Sequence, residues 1–463
     1  MLYDFIIVGT GPSGSVLASN LGNAGFKIAM IDRATEVKKN DKNSFIYSPY
    51  INNSPFNYTP LFSNQLGGNS ALWNNKCYLI SKEEFNSENW GFDYKELKKN
   101  SELLSKKFKI DHNKVNKKIV KDKYTYSKSY RIKKLGNIFY YLKIKQQKNI
   151  KIFSHSSPIK LIFDNKKKIK SIIIKDILIN KEMSLEVSRA VIFCAGGLGN
   201  PHILQNLLKD VNKKIGVYLS DHPHINLGNF NSKIAKKSSY FGKYFLNKNS
   251  DTENNLYLQK EKKFVGINLD LSGDGTKIIK KIYCKLNRLT PKVLLVLLIK
   301  YYNVFLKCIN KVLSITNVKG KYSFEFFFSQ EKNVKNSVKI IKNTKDNFGN
   351  YKSNINWFIS KKDKKQYQRF INSIIGTKGS FNLTNKNYSF LSKNITTGLH
   401  PSCTTQISSN KLNGVVDKNL KMFGYKNIFI CGSSVFRLNG FTNPTWTIMT
   451  LANRLSRHLN NLY

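Results

Sequence analysis

The chain has 463 residues, 41% of them hydrophobic and 13% aromatic, which is enough to bury a sizeable core and excludes a largely disordered polymer. At that length two domains are the default expectation. The formal charge is +49. As a functional signal it would mean attraction to polyanions, yet no zinc finger or aromatic-basic RNA signature accompanies it. Lys, Asn and Ile are abundant throughout, and compositional bias accounts for most of the charge, with peripheral contact at an anionic surface as the functional alternative. No nucleic-acid partner is expected.

The first element is an apolar run, Asp4 to Val8, that breaks into Gly9-Thr10-Gly11-Pro12-Ser13-Gly14. The run suits a buried parallel strand, and Ser15 to Leu21 then reads as a helix. Gly9 permits the sharp turn, Gly11 lets backbone approach a pyrophosphate, and Gly14 with Ala18 lets helix and strand pack closely. The helix N-terminus offers free N–H groups to phosphates. Gly25 closes the helix, and Lys27 to Ile31 is a second strand ending at Asp32-Arg33, with Asp32 about twenty residues after the glycines, where a carboxylate meets ribose hydroxyls. A dinucleotide site follows, without a choice between NAD and FAD.

Because Asp4 to Val8 is needed as a strand, no secretory leader is expected, and the longest apolar run, Val293 to Ile299, is too short to span a bilayer. The six cysteines are scattered without a C-x-x-C pair, so no disulfide framework or metal site is expected, and Cys194 and Cys431 read as core. The cytoplasm fits best, with contact at the inner face of the membrane as the variant.

After a polar loop to Tyr58 comes Gln65-Leu66-Gly67-Gly68-Asn69-Ser70-Ala71-Leu72-Trp73-Asn74-Asn75, a second small-residue turn. Between Lys98 and Lys151 eighteen Lys or Arg face three acidic residues, Glu102, Asp111 and Asp122, which reads as a solvated face. Strands are expected at Ile150 to Phe153, Ile159 to Phe163, Ile169 to Ile174 and Ala190 to Phe193, the last turning through Cys194-Ala195-Gly196-Gly197. An amphipathic helix is expected over Val293 to Leu313, and Lys321 to Phe328 is the clearest strand beyond Leu227.

The C-terminal segment contains Gly398-Leu399-His400-Pro401-Ser402-Cys403-Thr404, a strand-like Asn427 to Cys431 followed by Gly432-Ser433, and Asn443-Pro444-Thr445. Hydride removal from an alcohol needs a base for the hydroxyl proton and a donor to hold the oxygen, roles that an imidazole and an amide can fill. The histidines His112, His155, His202, His222, His224 and His458 read as surface, loop or packing residues.

Taken together, LGGNSALWNNKCYL, NWGFDYKEL, the Cys194-Ala195-Gly196-Gly197 turn, Asp221-His222-Pro223-His224 and the C-terminal motifs resemble the glucose-methanol-choline (GMC) oxidoreductases, in the bacterial sugar- and alcohol-oxidising branch. The resemblance implies an α/β fold: a Rossmann-like FAD-binding domain with a second α+β substrate domain built on an antiparallel sheet. It implies FAD-binding segments at 1–90, 150–226 and 396–463, an excursion or lid at 91–149 and a substrate domain at 227–395.

His400 then matches the family's catalytic histidine, and Asn443, 43 positions on, its partner. FAD contacts are implied at Gly9, Gly11, Pro12, Ser13, Gly14, Asp32, Arg33, Gly67, Gly68, Asn69, Ser70, Trp73, Asn74, Ile159, Ala195, Gly196, Gly432, Ser433, Asn443, Pro444 and Thr445. Leu72 stands where some relatives have a histidine bonded to the flavin, which implies non-covalent FAD. The implied activity is oxidation of a CH–OH group on a sugar or glycoside, with the electron acceptor unknown. An FAD-retaining lyase, or a binding protein on a degenerate scaffold, stays open. Four positions depart from the family near the expected site: Asn75 and Cys403 replace glycines, Arg437 a proline, and Phe441 a smaller residue.

Overall fold

The computed structural model describes residues 1–34, 50–52, 63, 65–73, 75–112, 117–121, 124–131, 136–208, 212–232, 252–258, 265–271, 320–374, 395–441 and 443–463. The Val293–Leu313 helix and Asn74 lie outside them.

The main sheet has seven strands. Its order is Ile150–Phe153, Ile28–Ile31, Leu2–Val8, Lys181–Phe193, Ile169–Asp176 and Ser156–Phe163, and Ile428–Ile430 pairs with the far half of Lys181–Phe193. Leu2–Val8 is parallel to both neighbours, with Val8 level with Ile31 on one side and Phe193 on the other. Phe5, Ile6 and Ile7 are wholly buried, which is why the strand is a continuous apolar run rather than an alternating one. From Leu2–Val8 the chain winds one way, to Ile28–Ile31 and Ile150–Phe153. Lys181–Phe193 and Ile428–Ile430 lie the other way. The order reverses beside Val8 and Phe193, and a crevice opens beyond the strand ends there.

The helix Pro12–Asn23 packs on the C-terminal helix Thr445–Leu462, where Asn20 Nδ2 donates to Asn453 Oδ1 at 3.0 Å. Helix Tyr94–Lys107 packs on the same C-terminal helix through wholly buried Leu97 and Leu104. Trp446 Nε1 donates to its Ser101 Oγ at 2.8 Å. This helix lies within the 91–149 stretch expected as an excursion or lid.

A second, four-stranded sheet is antiparallel, in the order Val265–Leu271, Gly320–Phe328, Pro223–Ser232, Ile395–Thr397. Pairing of Pro223 with Thr397 puts Asp221-His222 alongside Gly398, whose N–H donates to the His222 carbonyl at 2.8 Å. The expected division into a Rossmann-like sheet and an antiparallel sheet is thus present. Tyr50–Asn52, inside the stretch read as loop, is a strand, pairing with Tyr351–Asn356.

Candidate active site

A cavity of about 1000 Å³ runs from the strand ends of the main sheet to the edge of the antiparallel sheet. That is the upper end of the range for small-molecule and cofactor sites. Its near end is the glycine turn. Gly9 has φ +108°, and a Cβ there would sit 2.6 Å from the Cys194 carbonyl oxygen. A Cβ on Gly14 would lie 1.9 Å from the Gly9 oxygen, so helix and strand touch backbone to backbone. Gly11 has room, its nearest such contact being 4.0 Å away. Gly9 and Gly14 therefore hold the turn shut while Gly11, Pro12 and Ser13 line the cavity.

Asp32 stands at the end of the second strand. One carboxylate oxygen accepts from Thr10 N and Thr10 Oγ1, both at 2.6 Å, and the other accepts from Ala34 N at 2.9 Å. Burial pushes its carboxyl above the usual range despite these bonds. Thr10 Oγ1 also accepts from Gly67 N at 2.9 Å, joining the two glycine turns. Next to Asp32, Arg33 donates from Nε to Ser157 Oγ at 3.1 Å and pairs with Asp346 at 3.0 Å. His202, 3.8 Å from the same carboxylate, is pushed down to about 4 by burial, which outweighs the attraction of Asp346.

The far end is built by four segments. His400 Nε2 lies 3.2 Å from Asn443 Nδ2. The His222 ring stands edge-on to His400, centroids 5.1 Å apart, and its Nδ1 donates to the Gly440 carbonyl at 2.9 Å. Asp221, wholly buried, ties the segments together. Its Oδ1 accepts from the backbone N–H of His400 at 2.9 Å and of His222 at 2.6 Å, and its Oδ2 accepts from Thr397 Oγ1 at 2.5 Å. Asn439 Nδ2 donates to the His400 carbonyl at 3.2 Å. Loss of solvation, then His222 and Lys76, hold the His400 imidazole well below its ordinary pKa. It is neutral near pH 7, with a lone pair on one ring nitrogen.

Most of the expected contacts line this one cavity: Gly9, Gly11, Pro12, Ser13, Asp32, Arg33, Gly68, Asn69, Ser70, Trp73, Ala195, Gly196, Gly432, Ser433, His400, Asn443, Pro444 and Thr445. Three do not. Gly14 acts only in packing, and Gly67 is tucked behind, where a Cβ would meet Asn137 Oδ1 at 1.9 Å. Ile159 sits at an irregularity between Pro158 and Lys160, which leaves it without a partner across the strand pair, and His155 to Pro158 line the cavity instead.

Four of the histidines read as surface, loop or packing residues, His155, His202, His222 and His224, also line it. A signal existed for two of them. His222 and His224 are two apart at the start of a strand, which places them on one face. Of the four departures, Phe441 lines the cavity while Cys403 and Arg437 do not. Asn75 and Cys403 have φ +56° and +69°, the left-handed backbone that suits the glycines they replace.

Residues 333–452 match the family model described as GMC oxidoreductase. Among solved structures, the chain is similar to pyridoxine 4-oxidase from Mesorbium loti, at 13% identity and TM-score 0.61, covering 98% of this chain and 99% of that one. It is also similar to a variant of formate oxidase from Aspergillus oryzae RIB40, studied for its FAD modification, at 13% identity and TM-score 0.62, covering 100% and 98%. A second variant of that oxidase gives 14% and 0.63, with the same coverage. No curated protein matches in sequence. The shared fold extends over the whole length of these structures.

Proposed function

We propose that this chain is an FAD-dependent oxidoreductase acting on a CH–OH group, with His400 as base. The observation that carries the reading is the His400–Asn443 pair, 3.2 Å apart, on the same cavity as the Gly9–Gly14 turn. The cavity fits the cofactor. Its glycine turn exposes Gly11 to a pyrophosphate, helix Pro12–Asn23 directs its N-terminus there, and Asp32 borders the position of a ribose. Gly68, Asn69 and Ser70 would lie along the flavin, with Gly432 and Ser433 beside the ribityl chain. Leu72 offers no nucleophilic atom, which supports non-covalent binding. Bound FAD supplies the acceptor for the hydride of the alcohol carbon.

The rest is done by the chain. A substrate hydroxyl placed between His400 and Asn443 would give its proton to Nε2 and accept an N–H from the amide. Helix Thr445–Leu462 directs its positive end toward the same region. We read the substrate as a sugar or glycoside, on the branch that the Gly-Gly-x-Ser-x-x-Trp turn resembles.

An anaerobic bleaching assay on the purified yellow protein, across sugars and simple alcohols, tests this. Loss of visible flavin absorbance with a sugar is expected. A yellow protein that no alcohol bleaches would overturn the oxidoreductase reading, and bleaching by simple alcohols alone would overturn the sugar.

A further inference from the structure

Arg437, which replaces a proline of the resembled family, takes no part in the cavity above. It lines a separate cleft of about 440 Å³ together with Gln406, Lys214 and Lys332. Three cations thus surround one opening. The carboxylate beside them is Glu88, which Lys332 meets at 2.5 Å and Arg437 Nη2 at 3.4 Å. Among the described residues, this one negative charge stands against three positive ones. Lys214 has no carboxylate partner among the described residues, and its ammonium stands over the Tyr218 ring, 5.6 Å from the centroid.

Two buried donors make the cleft more than a cluster of surface lysines. Gln406 is 5% exposed. Its Oε1 accepts from Arg437 Nη1 at 3.3 Å, and that bond fixes which way the amide faces. Nε2 is left buried with no partner, as is Arg437 Nε, although Arg437 Nη1 reaches the Ile407 carbonyl at 3.0 Å. Buried donors without acceptors are costly and uncommon. Gln406 and Arg437 both line the cleft, and a group that would satisfy two such donors is an anion with several acceptor oxygens.

We propose that this cleft binds a phosphate group, free or carried as a monoester. A phosphate dianion offers oxygens to Gln406 Nε2 and Arg437 Nε while its charge offsets the excess of Lys214, Lys332 and Arg437. Gln406 and Arg437, which line the cleft, belong to the same chain segments as His400 and Asn443. Cys403 N, Thr405 N and Ile407 N donate to the carbonyls of Ser433, Ser434 and Val435 at 3.1, 2.7 and 3.0 Å. This two-segment ladder has His400 before it and Gln406 within it, and Arg437 and Asn443 follow it.

The test is thermal unfolding of the purified protein against increasing inorganic phosphate, with ionic strength held constant by potassium chloride so that general screening of the chain's charge does not change. Wild type is expected to show a saturating rise in Tm. Gln406→Glu, which keeps an acceptor for Arg437 and puts a carboxylate in place of the donor, is expected to weaken the phosphate response about tenfold or more. Lys214→Gln, in a side chain that holds no other element in place, is expected to weaken it less. Lys145→Gln removes the same charge elsewhere and is expected to leave it unchanged. Phenyl phosphate in parallel separates the sources: tighter binding than inorganic phosphate marks a monoester, weaker binding a free phosphate. Equal responses in all four proteins, or none in wild type, would overturn the proposal.

Discussion

The two ends of the large cavity are built in opposite ways. At the glycine turn, Gly9, Gly14 and Cys194 meet backbone to backbone, so a few neighbouring residues on one strand and one helix determine the shape. At His400 the shape depends on side chains from distant segments: Asp221, His222, Thr397, Asn439 and Asn443. The first end is fixed by the absence of side chains, and the second by a buried carboxylate that gathers N–H and O–H donors. Loss at the first should remove binding and fold together, whereas loss at the second should remove chemistry and leave binding.

Gly14→Val presses hardest on this contrast. A Cβ 1.9 Å from the Gly9 oxygen has nowhere to go, and destabilisation of about 3 kcal/mol or more is expected, with a colourless product. Urea unfolding and visible absorbance check it. His400→Ala comes next, with flavin reduction slowed about 10²- to 10⁴-fold at unchanged flavin content in a stopped-flow experiment.

Asp221→Asn is milder. It replaces a carboxylate that accepts from His400 N, His222 N and Thr397 Oγ1, and about 1.5–3 kcal/mol is expected. The effect should fall on the reduction rate, with the flavin spectrum retained. Equal loss of flavin would place Asp221 with the glycine turn instead.

A further effect, confined to acid conditions, is in pH. His202, held at about 4 by burial, and His400, also lowered, bind fewer protons folded than unfolded between about 6.5 and their native values. Stability is therefore full above about pH 6.5 and is lost as pH falls toward 4, by up to about 1.4 kcal/mol per pH unit for each group. Urea midpoints across that range for wild type and His202→Gln check this, and the variant should show a shallower acid limb.

The same contrast explains what the chain revealed before its structure. Gly9 to Gly14 and Asp32 are legible because strand, turn, helix and carboxylate follow one another at short, fixed spacing. Lys321 to Phe328 and Ile169 to Ile174 are legible through their apolar and β-branched runs. His222 is not, because its neighbour His400 comes 178 positions later, brought close by the pairing of Pro223 with Thr397. Arg33 and His202 meet at Asp346 for the same kind of reason. Gly67 and Ile159 do not line the cavity, since sequence spacing brings a turn or strand close to a site without fixing which of its residues face it. The buried stripe of helix Tyr94–Lys107 is hard to see among its lysines because it consists of Leu97 and Leu104 with the polar Asn100, Ser101 and Ser105.

The most direct measurement compares Gly14→Val and His400→Ala side by side, reading flavin content and single-turnover reduction by the best alcohol substrate on the same preparations. The expected result is a colourless Gly14 variant and a yellow His400 variant that the same substrate reduces at least about a hundredfold more slowly than wild type. A yellow His400 variant reduced at the wild-type rate would contradict the assignment of the base. A colourless one would contradict the separation of binding from chemistry.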